Sequence, residues 1–124
     1  MSSEGELPLD EIAAAACEAV KEGVRSAQVS RLLEVLEDTN NVNIVLAFLA
    51  KQVGRGPWKP RAAQRLFNIL KDIENIDTAR KILGLFKWLF EAGEKAKNRL
   101  SWPPGNIKGY FLTYINSCLG GPRR

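Results

Sequence analysis

The sequence predicts an all-α protein, a compact bundle of five or six helices. Three observations carry this. Apolar residues recur at three- and four-residue spacing through successive segments. Glycines, prolines and asparagines punctuate those segments at helix-length intervals, and no pair of runs alternates as half-buried strands do. A length of 124 residues, with 45% hydrophobic and 26% charged side chains, suits one domain with its own core. That domain is expected to span residues 1–124, with 1–7 frayed and 100–124 forming a C-terminal loop and short helix.

In the first segment Leu9, Ile12, Ala13, Ala16 and Val20 share a helix face, and Gly23 is a stop. Ser26 is expected to cap a second helix, with Val29, Leu32, Leu33 and Leu36 inward and Arg31, Glu34 and Glu37 outward. Thr39, Asn40 and Asn41 break it. Val42 to Val53 is apolar nearly all round, which predicts the central, most buried helix, with Gly54 at its C-cap. Its β-branched residues leave a strand as the alternative, but no partner strand is evident. The stretch Gly54-Arg55-Gly56-Pro57-Trp58-Lys59-Pro60 cannot be regular helix and reads as the principal loop. A fourth helix is expected from Arg61 to about Ile73. Asp77 is expected to cap the fifth and longest, which buries Ile82, Leu83, Phe86, Leu89 and Phe90. Trp88, with Phe86 and Phe90, reads as core or subunit interface. After Ser101-Trp102-Pro103-Pro104-Gly105, the residues Ile107, Tyr110, Phe111, Tyr114 and Ile115 suggest a short last helix ending at Gly120-Gly121.

The longest hydrophobic run, Ile44 to Ala50, is far below the roughly 20 residues of a membrane span, and the N-terminal residues are acidic. A cytoplasmic protein with no membrane partner is the expectation. Cys17 and Cys118 lie on apolar helical patterns and read as buried structural thiols. Histidine is absent, which removes the commonest general base, the commonest metal ligand and every Ser-His or Cys-His nucleophile pair. The acids lie mainly on outer faces without metal-ligand spacing, and Gly54-Arg55-Gly56 lacks the pattern of a phosphate-binding loop. Neither enzyme activity, nor a metal, nor a cofactor is expected.

The net charge of +4 hides a division. Residues 1–50 hold nine acids and three bases, whereas 51–124 hold five acids and fifteen bases. Such asymmetry suggests a nucleic-acid surface on the basic half, or self-association of acidic half to basic half between copies. The densest cationic stretch contains Lys51, Arg55, Lys59, Arg61 and Arg65 around Trp58, with no acid among them. Lys51 and Arg55 share one helix face, Arg61 and Arg65 another, and the loop between could unite the pairs. Arginines at a helix N-terminus oppose the helix dipole, which a binding role would explain. Phosphates would be held by ion pairing and counterion release, with Trp58 free to stack on a base. The competing reading pairs these cations with the acidic half and tucks Trp58 into the bundle. A second, sparser group is Lys95, Lys97, Arg99 and Lys108 with Trp102 and Tyr110; a solvated helix end explains it equally well.

Three runs also resemble a known family. Ser26-Ala27-Gln28-Val29-Ser30-Arg31-Leu32-Leu33-Glu34, then Leu46-Ala47-Phe48-Leu49-Ala50-Lys51-Gln52-Val53-Gly54-Arg55, then Leu85-Phe86-Lys87-Trp88-Leu89-Phe90-Glu91-Ala92 are similar to the small helical subunit of type III CRISPR effector complexes, most of all that of the Csm type. The resemblance covers roughly residues 26–97. It implies a non-catalytic all-α subunit that stacks in several copies within a multi-protein complex and contacts the backbone of guide or target RNA. Carried onto this sequence, it assigns Lys51 and Arg55 to RNA contact, with Arg31 a further candidate. Members often end soon after the third of these runs, so the stretch 99–124 departs from the pattern. Two other functions fit the residues: a helix-turn-helix DNA-binding regulator or replication accessory protein, and a helical protein adaptor.

Overall fold

The protein was analysed as a computed structural model that describes residues 6–120. Of the stretch 1–7 expected to fray, 1–5 lie outside that range, and so does Gly121 at the expected end of the last helix. Among the described residues six α-helices follow one another: α1 (Leu9–Lys21), α2 (Ser26–Thr39), α3 (Val42–Arg55), α4 (Pro60–Leu70), α5 (Ile76–Lys95) and α6 (Tyr110–Cys118), with a 3-10 turn at Lys97–Arg99. There is no strand among the described residues, so the Val42–Val53 run is helix. None of these helices is long and apolar enough to cross a membrane.

The centre of the bundle is α1, and this corrects the expectation that α3 would be. Every residue from Ile12 to Val20 is buried. The reason lies in the run Ala13-Ala14-Ala15-Ala16: a helix of alanine width can be enclosed on several sides without leaving voids. Accordingly α4, α5 and α6 all pack on it. Helix α3 packs chiefly on α2 and α4 and sits at the edge, burying the stripe Val42, Val45, Leu49 and Gln52 while Ile44 stays exposed. Its apolar circumference is therefore not a measure of its depth.

Local chemistry sets the helix ends. Asn40 closes α2 in the left-handed region (φ +51°), and the Asn41 side chain caps α3 by accepting from the backbone N–H of Asn43 (2.9 Å) and Ile44 (3.3 Å). Helix α3 runs through Gly54 and stops two residues later than expected, with its C-cap at Gly56 (φ +107°). Pro60 occupies the first position of α4, where its missing N–H costs nothing, and α4 ends at Leu70 rather than near Ile73. Ser26 opens α2 without capping it, and Asn75, not Asp77, caps α5 by accepting from Thr78 N–H at 3.1 Å. Asp77 instead joins Glu37 in holding Arg80, each at 2.6 Å, which clamps the end of α2 to the start of α5. Those two carboxylates raise the Arg80 pKa further, Glu37 most.

The core closes on aromatic side chains. Trp58 stacks on Phe86 with ring centroids 6.2 Å apart, and Tyr114 Oη donates to the Leu89 carbonyl at 2.6 Å. Burial holds the Tyr114 phenol well above its ordinary pKa. Tyr114 crosses α5 at Gly93, where a Cβ would overlap its hydroxyl and crowd Val20. Helix α6 is tied to the start of α1 by Asp10, whose carboxylate accepts from Gly109 N–H (3.0 Å) and Phe111 N–H (2.8 Å). At the other end the Arg99 guanidinium donates to the carbonyls of Ser117 and Cys118.

Candidate nucleic-acid interface

Trp58, expected to stand out for stacking, is only 1% exposed. Two prolines turn the loop back over the end of α3, and the Trp58 ring completes the core against Phe86. Burying so large an apolar surface stabilises the fold by several kcal/mol, on the order of the 3–5 kcal/mol that a Trp-to-Ala truncation removes. Its indole N–H has no hydrogen-bond partner among the described residues. Trp58 is a structural side chain.

The cations around it fall into three groups. Lys51 and Arg55 are exposed on α3. Helix α4 turns Pro60, Ala63, Gln64 and Phe67 toward α3, and these line an apolar cleft of about 350 Å3 with Leu46, Leu49, Ala50 and Val53. At 100° per residue, Arg61 and Arg65 fall on the opposite flank, toward α1, so the two pairs are not brought together. Arg65 Nε lies 2.9 Å from Glu18 Oε1, a charge contact whose N–H is not aimed at the oxygen, and the Glu18 side chain is 5% exposed. For Arg65 the pairing of basic half with acidic half is therefore what the structure contains. Arg31 belongs to a third place, 3.6 Å from Glu34 and 5.8 Å from the Phe48 ring centre.

What the fold does assemble is centred on Trp102. Lys21 Nζ and Arg61 Cζ each lie 5.5 Å from its ring centroid, and the ring is 47% exposed. Beneath them Glu22 Oε1 accepts from the Ala62 backbone N–H at 3.3 Å. The first turn of α4 has no acid of its own, and Glu22, the residue that ends α1, supplies the missing negative charge from outside the helix. That explains how Arg61 is tolerated at a helix N-terminus. Burial raises the Glu22 pKa, against the lowering effects of the Ala62 N–H, Arg61 and Lys59. Farther along, Glu22, Gly23, Arg25, Gln28, Gly56, Pro57 and Lys59 line a cleft of about 410 Å3, so the cationic strip continues from Arg61 through Lys59 to Arg25.

The backbone beside Trp102 is pinned. The Ser101 carbonyl accepts from Tyr110 Oη at 2.6 Å and from Cys17 Sγ at 3.3 Å, and Pro103 and Pro104 follow with fixed φ. Burial pushes both the Cys17 thiol and the Tyr110 phenol above their ordinary pKa values. The second cationic group of the sequence therefore dissolves: Tyr110 is core, Arg99 closes α6, and Trp102 joins Arg61 instead. Cys17 is buried as expected, while Cys118 is half-buried. Trp88 is not core but 72% exposed, whereas Phe86 and Phe90 are fully buried. Lys21 and Arg25 were not singled out from the sequence. Their only signal there is position, Lys21 in the last turn of the first helix and Arg25 just before the second. No family model, no curated protein and no solved structure matches this chain.

Proposed function

We propose that the chain is a non-catalytic small subunit of an RNA-guided interference ribonucleoprotein, and that it binds the backbone of guide or target RNA through the strip Arg25, Lys59, Arg61 and Lys21. One observation carries the binding surface: Lys59 and Arg61 face solvent, while of the acids of the same face Glu18 is buried and Glu22 is half-buried with its Oε1 taken by the Ala62 N–H. The outward charge is thus predominantly positive; among the described residues Glu22 is the one carboxylate lining the cleft beside Arg25 and Lys59, and phosphates would meet the cations around it. The assignment to a ribonucleoprotein rests on the three sequence runs similar to the small CRISPR subunit, and Lys51 and Arg55 on α3 form a separate second contact in that reading. The acidic face of α2, with Glu34, Glu37 and Asp38, is where a neighbouring copy or another subunit would set its basic flank.

The test is retention of RNA on the purified protein at ~0.15 M salt, near physiological ionic strength. Lys59→Glu with Arg61→Glu is expected to keep the helical circular dichroism and to lose bound RNA; undiminished RNA would refute the strip. Lys51→Glu with Arg55→Glu measures the α3 patch separately. A protein-adaptor reading is favoured by the apolar α3–α4 cleft, whose lining includes the exposed Phe67. Protein purified without nuclease and free of nucleic acid would support the adaptor.

A further inference from the structure

We infer that Trp102 is a stacking platform for an unpaired base, which makes single-stranded nucleic acid the ligand of the strip. The inference rests on the backbone-binding reading above and adds what the cations alone do not specify.

The ring is exposed, yet its backbone is fixed from below. Two side-chain donors, Tyr110 Oη and Cys17 Sγ, converge on the Ser101 carbonyl, and the two prolines stiffen the chain beyond Trp102. An aromatic surface held this way loses little conformational freedom when a ligand covers it. Lys21 and Arg61 stand 5.5 Å from the ring centre on side chains long enough to move. A base that takes the ring face displaces the cation over that face, and the cation then meets the phosphate attached to the same nucleotide. One weak contact is exchanged for a stack and an ion pair. A duplex cannot use this arrangement, because its base faces are already stacked on one another. The two other tryptophans do not compete: Trp58 is enclosed, and Trp88 lies on α5 with neither cation of this cluster over it.

The experiment uses the full chain carrying Trp88→Phe, so that Trp102 is the one exposed indole. Tryptophan emission is titrated with oligo-uridylate RNA, oligo-thymidylate DNA, an RNA duplex, and heparin as a polyanion without bases. Both single strands should quench the emission, since the stack reads a base plane rather than a sugar; duplex and heparin should bind without quenching. Adding Trp102→Ala should weaken single-strand binding roughly five- to hundred-fold, the range for loss of one stacked base. It should leave heparin affinity and the melting temperature unchanged, and Trp102→Phe should restore part of the loss. Equal single-strand affinity with and without Trp102 overturns the platform, and the backbone reading then stands or falls on the Lys59→Glu, Arg61→Glu pair. Failure of the parent protein to bind any of the four polymers overturns both.

Discussion

Gly93→Ala should destabilise the protein even though alanine is the better helix former. At an open helix position the exchange would gain about 1 kcal/mol. Here the new Cβ would occupy the space of the Tyr114 hydroxyl and press on Val20, so the Tyr114–Leu89 hydrogen bond must break or α6 must lift from α5. Overpacking of a filled core costs about 1–3 kcal/mol, and a buried hydrogen bond lost with its acceptor left behind about 1–3 kcal/mol more. After the propensity gain the net cost is about 1–5 kcal/mol, or roughly 4–20 °C of melting temperature for a chain of this size. Thermal and urea melts measure it, and a double-mutant cycle identifies the cause. Tyr114→Phe alone removes the hydroxyl at a cost of about 1 kcal/mol. In that background Gly93→Ala should cost at least about 1 kcal/mol less than it does alone, because the overlapping atom is gone. Additivity of the two changes within about 0.5 kcal/mol would refute the steric account.

Asp10→Ala should fray α6 and lower stability by about 1 kcal/mol, the usual value of a lost cap, with faster amide exchange at Phe111 as the readout. Trp58→Ala should cost about 3–5 kcal/mol through loss of its packing on Phe86, measured by urea unfolding. Glu22 gives a pH signature. Its folded pKa lies above the ordinary 4.5, so its contribution favours folding below that value and is lost as pH rises through the folded pKa. Glu22→Gln, which keeps an oxygen for Ala62 N–H, should therefore improve relative to the parent protein between acid and neutral pH, as read by paired urea melts. For the interface, Lys59→Gln with Arg61→Gln should reduce the salt dependence of single-strand binding by about 1.4 in the log–log slope, the share of two phosphate contacts.

Much of the fold was legible because helix periodicity and loop chemistry are local. The helix at 26–39 with its asparagine break, the interruption at residues 56–59, and the buried faces of α5 and α6 all follow from spacing. Depth was not legible in the same way. Apolarity all round α3 suggested the centre, whereas the centre went to α1, because enclosure by several helices selects for narrow side chains as well as apolar ones. The site was half legible. Arg61 and Lys59 stood out as cations, but a helical residue's flank relative to a distant segment is decided by tertiary packing. Nothing local told Trp58 from Trp102: each lies in a proline-rich loop. The difference is that Phe86 waits beneath one, and the pinned Ser101 carbonyl turns the other outward.

The central place of α1 has a consequence for how the chain is made. Helix α1 precedes α4, α5 and α6, the three helices that enclose it, so its main contacts all span tens of residues of chain. During synthesis its alanine surface stays open until α4 and α5 have emerged, and α6 then covers the side that is left. Contacts of such sequence separation close late and slowly. A nascent chain stopped before α4 would present its own core as the stickiest surface in its surroundings.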